Sequence, residues 1–166
     1  MTGNPAQGTN LARFVPMLPK VSKILVPLDF SEHAEAALAY AIGLAKGFGA
    51  AVHLVHVYPV AAYAAPPLLP GPVVVGQFRD ESQKVFDELM TRVKRDYSPD
   101  ITGSLCEGVP HVEILRCASD IGADMIVMGT HGHTGLEHLL LGSVAERVVR
   151  GATVPVLTVP RKHAAA

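Results

Sequence analysis

The chain has 166 residues, close to half of them hydrophobic, and a formal net charge of −1. That is enough chain for one domain with a sizeable core. The balanced charge excludes both the composition of a disordered protein and the basic footprint expected of a nucleic-acid binder. Residues 1–7 show no basic stretch leading into an apolar core, so no secretory leader is expected. The longest apolar region, residues 57–75, is broken by Pro59, Pro66, Pro67, Pro70, Gly71 and Pro72, which excludes it as a transmembrane helix. Cys106 and Cys117 have neither metal nor redox spacing and read as ordinary thiols of a reducing cytoplasm.

Residues 1–21 read as a polar, proline-bearing arm, residues 22–160 as the domain, and residues 161–166 as a short tail. The domain opens on an apolar run, with Ile24–Pro27 as a central strand ending in a turn at Asp29. Ser31 is a suitable N-cap for a helix that presents Ala34, Ala37, Leu38, Ala41, Ile42 and Ala45 at helical spacing and stops at Gly47 or Gly49. Residues 51–57 form a second strand, on which His53 and His56, three apart, face opposite sides and read as packing or hydrogen-bonding residues. Residues 59–76 are expected to be a long proline-rich connection, uncommon inside a compact domain and suited to a docking or lid role or to packing on its own domain.

A helix from Gln77 to Tyr97 follows, carried by Phe78, Val85, Phe86, Leu89 and Val93. A weaker strand lies over residues 101–106. Pro110 begins another helix, with Val112, Ile114, Leu115, Ala118 and Ile121 as its apolar positions and Gly122 as its stop. Residues 125–128 are a fourth strand, residues 144–150 a helix, and residues 154–160 a fifth strand. Strands alternating with helices imply right-handed crossovers and a parallel sheet covered on both faces. Ligands in such sheets bind beyond the carboxyl ends of the strands, where Asp29 and Gly129 both lie.

Between the fourth strand and the last helix runs GTHGHTGLEHLLLGSV, residues 129–144. Glycines permit close approach to the backbone, and a helix start offers unpaired N–H groups and the positive end of the helix dipole. The stretch therefore predicts a phosphate-bearing ligand. It lacks the lysine of a P-loop, and no Gly-x-Gly-x2-Gly follows the first strand, which excludes the two commonest nucleotide fingerprints. His131, His133 and His138 offer three imidazoles without an evident fourth ligand, and metal ligation by these side chains is not expected. Glu146 and Arg150 form an i,i+4 pair on a solvated helix face.

The spacing Gly129-x2-Gly132-x9-Gly142-Ser143, joined to Ile24-Leu25-Val26-Pro27-Leu28-Asp29-Phe30-Ser31, Leu54-Val55-His56-Val57 and Gly108-x-Pro110, resembles the ATP-binding branch of the universal stress protein family over residues 22–160. The resemblance implies an open five-stranded parallel α/β sheet in order 3-2-1-4-5, of the Rossmann-like, adenine nucleotide alpha hydrolase-like kind, with helices on both faces. It also implies a homodimer through Val154–Val159 and bound ATP. By the same resemblance, Pro27, Leu28 and Asp29 line the adenine and ribose side, with Val57 and Met128 beside the base. Gly129, His131, Gly132 and His133 wrap the ribose and phosphates, and Gly142, Ser143 and Val144 donate to the phosphates. Magnesium or manganese is held mainly by the phosphates. His133 stands where the family often has arginine; a neutral imidazole supplies no fixed charge and at most one donor.

The expected protein is a small cytoplasmic ATP-binding regulator that reports stress or energy status through a protein partner. It has no nucleic-acid or membrane-inserting role. With no lysine or arginine finger in the loop, ATP hydrolysis should be slow at most. The alternatives are an ATP hydrolase or nucleotidyl transferase of the same fold, and an interaction module that uses the fold without nucleotide.

Overall fold

The computed structural model describes residues 20–58, 72–98, 100–132 and 141–160. Residues 1–19 of the N-terminal arm, the connection over residues 59–71, and His133 and His138 lie outside them, whereas Val21, assigned to the arm, is buried in the core. The sequence folds as β1 (Lys23–Leu28), α1 (Glu32–Phe48), β2 (Ala51–Tyr58), α2 (Pro72–Asp96), β3 (Thr102–Glu107), α3 (Pro110–Asp120), β4 (Met125–Gly129), α4 (Ser143–Gly151) and β5 (Val156–Val159). The five strands form one sheet in the order β3-β2-β1-β4-β5, with every pair parallel, as the resemblance implies.

β1 is central and buried on both sides, so consecutive residues Ile24, Leu25 and Val26 are all inaccessible to solvent. That is why its sequence is a continuous apolar run and not an alternating one. Alternation along the strands sorts the side chains into two cores. Ile24, Val26 and Leu28 pack with Val52, Leu54 and Val127 under α1 and α2. Leu25 packs with Val55, Ile126 and Met128 under α3 and α4.

α1 forms where the spacing predicts. All six expected core positions from Ala34 to Ala45 are buried. Ser31 caps it, its Oγ accepting from the Ala34 N–H at 3.2 Å, a contact that contributes about 1 kcal/mol. Gly49, at φ 67°, supplies the left-handed C-cap that ends it, two residues beyond Gly47.

The expectations need correction in four places. α2 begins at Pro72, so residues 72–76 are helical and not part of the connection; a proline at the first helical position loses no hydrogen bond there. Val85 faces outward on α2, beside the buried Phe86. On α3 the inward stripe is Ile114, Cys117 and Ala118, whereas Val112 is exposed. Two residues turn a helix by about 200°, so Val112 and Ile114 cannot share a face. β5 is shorter than expected: Val154 and Pro155 precede the strand, although the Pro155 carbonyl still accepts from the Ile126 N–H.

Candidate functional site

β1 and β4 are hydrogen-bonded neighbours, with Ile24 opposite Met125 and Leu25 opposite Ile126. The turn after Leu28 and the loop after Gly129 therefore leave the same edge of the sheet side by side. Asp29 joins them. Its Oδ1 accepts from the Ser31 N–H at 3.1 Å and from the Ser31 hydroxyl at 2.5 Å. Its Oδ2 lies against Gly132, where any Cβ would fall on the carboxylate oxygen. One oxygen thus holds the turn that starts α1, while the other faces the glycine loop.

Gly129 has a different constraint. A Cβ there would come within 2.9 Å of the carbonyl carbon and Cβ of His33 in the first turn of α1. Beyond it, the Thr130 N–H donates to the Val159 carbonyl at 3.2 Å, and the Thr130 carbonyl accepts from the Gly142 N–H at 2.7 Å. This last bond closes the loop, bringing the start of α4 back beside the end of β4. A Cβ at Gly142 would lie 3.2 Å from that same carbonyl. Gly142 is the N-cap of α4 and gives it no side-chain cap, and the exposed Ser143 is its first residue. The first-turn amides of α4 thus receive no cap from the side chain at Gly142, and a helix start of this kind suits an anionic acceptor.

The remaining expected residues fall around this edge. Val57, beside the end of β2, is half-buried and packs with the α3/α4 core, as does Val144. Met128 is buried in that core, and strand alternation puts Pro27 on the same face as Leu25. Pro27, Val57 and Met128 thus share one face at the carboxyl end of three adjacent strands. Leu28 is buried on the other face, in the α1/α2 core. His131 Nδ1 is 3.0 Å from the Thr130 hydroxyl, and its ring centroid is 5.5 Å from that of His33. Among the described residues, no group of three or more histidine, cysteine, aspartate or glutamate side chains is placed to hold a metal ion.

Two features of the site, His33 and the backbone of Phe30, were not singled out from the sequence, and a third, His56, gains a partner there. His33 reaches the loop because α1 lies across β1 and β4. Phe30, directly after Asp29, has φ 63°, and is the one non-glycine residue with positive φ among the described residues. His56, read as a hydrogen-bonding residue, donates from Nδ1 to the Leu28 carbonyl at 2.7 Å, and its ring centroid lies 4.4 Å from that of Phe30. Burial lowers the His56 pKa below the ordinary imidazole value, against the opposing effects of the Leu28 carbonyl and the Asp29 charge. The ring is neutral at neutral pH. His53, on the other face of β2, lies 2.7 Å from the Thr102 hydroxyl and 2.9 Å from that of Ser104. Both cysteines are free. Burial pushes both thiols up, that of Cys117 to about 11, which leaves them protonated and unreactive at neutral pH.

A family model described as the universal stress protein family matches residues 20–160. The chain belongs to the universal stress protein family. The universal stress protein MJ0531 of Methanocaldococcus jannaschii is 37% identical over 143 residues, which cover 85% of this chain and 84% of that one. The solved structure of MJ0577, from the same organism, superposes with a TM-score of 0.76 at 32% identity, covering 88% of this chain and all of the other. Two more distant universal stress protein structures carry adenine nucleotides. One is a complex with cAMP (23% identity, TM-score 0.57, covering 86% of this chain and 98% of that one). The other, from Archaeoglobus fulgidus, is a complex with dAMP (22% identity, TM-score 0.57, covering 84% and 98%). Membership accounts for the strand order.

Proposed function

We propose that this universal stress protein binds an adenine nucleotide, ATP foremost, in the crevice between the β1 turn and the β4–α4 loop. The observation that carries the reading is the packing of Asp29 Oδ2 on Gly132, which brings a carboxylate acceptor against the loop at a position where a Cβ would displace it. A carboxylate beside glycine backbone suits the hydroxyls of a ribose. Pro27, Val57 and Met128 offer an apolar face for the base. Gly129, His131, Gly132 and His133 follow the sugar and phosphates, and Gly142, Ser143 and Val144 present donors to the phosphates at the start of α4. The start of α4 without a side-chain cap from Gly142, and the glycines at 132 and 142, fit a phosphate group. Magnesium or manganese would be held mainly by the phosphates. The cAMP and dAMP complexes of its relatives support the adenine part of the reading.

The reading is of a site that holds and orients: the stretch over residues 129–144 carries no lysine or arginine to stabilise a transferring phosphoryl group. The protein is therefore a nucleotide-dependent regulator acting through a protein partner in the cytoplasm, with slow hydrolysis at most. No helix among the described residues is long and apolar enough to cross a membrane. β5 is the last strand of the sheet among the described residues. Two copies joined along it would bury a strand edge, which is a liability when left open. Sedimentation velocity that returns only a monomer would remove this part of the proposal.

The deciding experiment is to denature purified protein and identify released nucleotide by mass spectrometry, alongside thermal unfolding with and without ATP and Mg²⁺. A ligand at 100 times its Kd adds about 2.7 kcal/mol, and in a chain of this size that raises Tm by about 5–10 °C. ATP in the released fraction, or such a shift, is expected. Neither a released nucleotide nor a shift would overturn the reading in favour of a nucleotide-independent interaction module.

A further inference from the structure

Phe30 occupies the left-handed region, at φ 63°, in the residue between Asp29 and the cap of α1. A phenylalanine does not rest there without a reason, because its Cβ crowds the following carbonyl. Surrounding structure must hold it. On one side, the Asp29 carboxylate bonds to the N–H and hydroxyl of Ser31, which fixes the turn from the α1 end. On the other side is His56. It pairs with Leu28 across the β1–β2 ladder, its Nδ1 donates to the Leu28 carbonyl at 2.7 Å, and its ring lies against that of Phe30 with centroids 4.4 Å apart. A carbonyl only accepts, so the bond fixes the proton on Nδ1 and sets the plane of the imidazole.

We propose that His56 is a positioning residue for the nucleotide site: anchored on the Leu28 carbonyl, its ring holds Phe30 in the left-handed conformation, and that conformation aims Asp29 at Gly132. The proposal rests on the nucleotide reading of that site. His56 does not line the site itself. Strand alternation puts it on the α1/α2 face with Leu54, opposite Val57. Its effect passes through the turn: the ring contact determines the backbone at residue 30, and the backbone there determines where the neighbouring carboxylate points.

The inference is tested with His56→Leu, Phe30→Gly and the double variant. Two readouts are used: ATP affinity by calorimetry, and the strong intraresidue amide–Hα Overhauser effect that marks a positive φ at residue 30. His56→Leu should lose the positive-φ signature and weaken ATP binding by about tenfold or more, while circular dichroism stays that of the folded protein. Glycine adopts this conformation without an anchor. Phe30→Gly should therefore bind ATP within about threefold of the parent, and adding His56→Leu to it should cause no further loss, a coupling that independent sites do not show. A merely structural histidine would weaken both backgrounds equally. Retention of the positive-φ signature in His56→Leu, or a double variant as weak as His56→Leu, would overturn the proposal. Should His56→Leu fail to fold, His56→Gln, which keeps a polar group for the Leu28 carbonyl but no ring against Phe30, carries the same expectation. If the parent protein binds no ATP, the nucleotide reading fails, and the residue-30 signature in the variants still decides the role of His56.

Discussion

Gly132→Ala is expected to weaken ATP binding by about a hundredfold, or about 2.7 kcal/mol, while leaving Tm within about 3 °C of the parent. The added methyl would fall on Asp29 Oδ2, the far end of a side chain. A side chain can swing aside without moving the sheet, so the fold tolerates the change. The carboxylate, however, is tied to Ser31 through its other oxygen, and moving it breaks the arrangement that presents it to the crevice. Asp29→Ala should produce a similar loss. The double variant should be little worse than either single one, because both remove the same contact. Additive losses would mean that Gly132 and Asp29 act on the ligand separately. Unchanged affinity in both would remove Asp29 from the site.

Much of this architecture was legible because the signals are local and redundant. β1 reads as a central strand from its unbroken apolar run, and α1 from six apolar positions at helical spacing behind Ser31. The site edge was legible because β1 and β4 each end in a distinctive turn, Asp29 on one and Gly129 on the other. What the residues could not reveal is what depends on neighbours distant in sequence. Gly129 reads as a ligand-approach glycine, yet the structure gives it a packing reason, the backbone of His33 in α1. Nothing at Phe30 announces a left-handed backbone, since glycine or asparagine is the usual marker. Its cause is a histidine from the next strand, which the pattern Leu54-Val55-His56-Val57 presents as one more residue of a β ladder. The start of α2 was missed for a different reason. Pro72 closes a series of prolines, and a proline at a helix start has the same local appearance as a proline in a connection.

Gly129→Ala tests the packing reason directly and should act on stability first. It should destabilise the protein by about 3 kcal/mol, at the upper end for overpacking a tight interior, which lowers Tm by about 6–12 °C. The added Cβ would meet the carbonyl carbon and Cβ of His33 at 2.9 Å and its carbonyl oxygen at 3.0 Å. These are atoms of, or attached directly to, the α1 backbone, and no rotamer change moves them. Relief requires α1 to lift from β4, and α1 supplies buried residues from Ala34 to Ala45 to the core on that face. The same methyl group thus has opposite consequences three residues apart: at Gly132 it displaces a carboxylate and affinity falls, and at Gly129 it displaces a helix and stability falls. Urea unfolding measures the difference, and the midpoint should drop at Gly129 with the slope unchanged. If Gly129→Ala unfolds at the parent midpoint, α1 has room to move at its first turn, and the close contact between His33 and the end of β4 is not what requires glycine there.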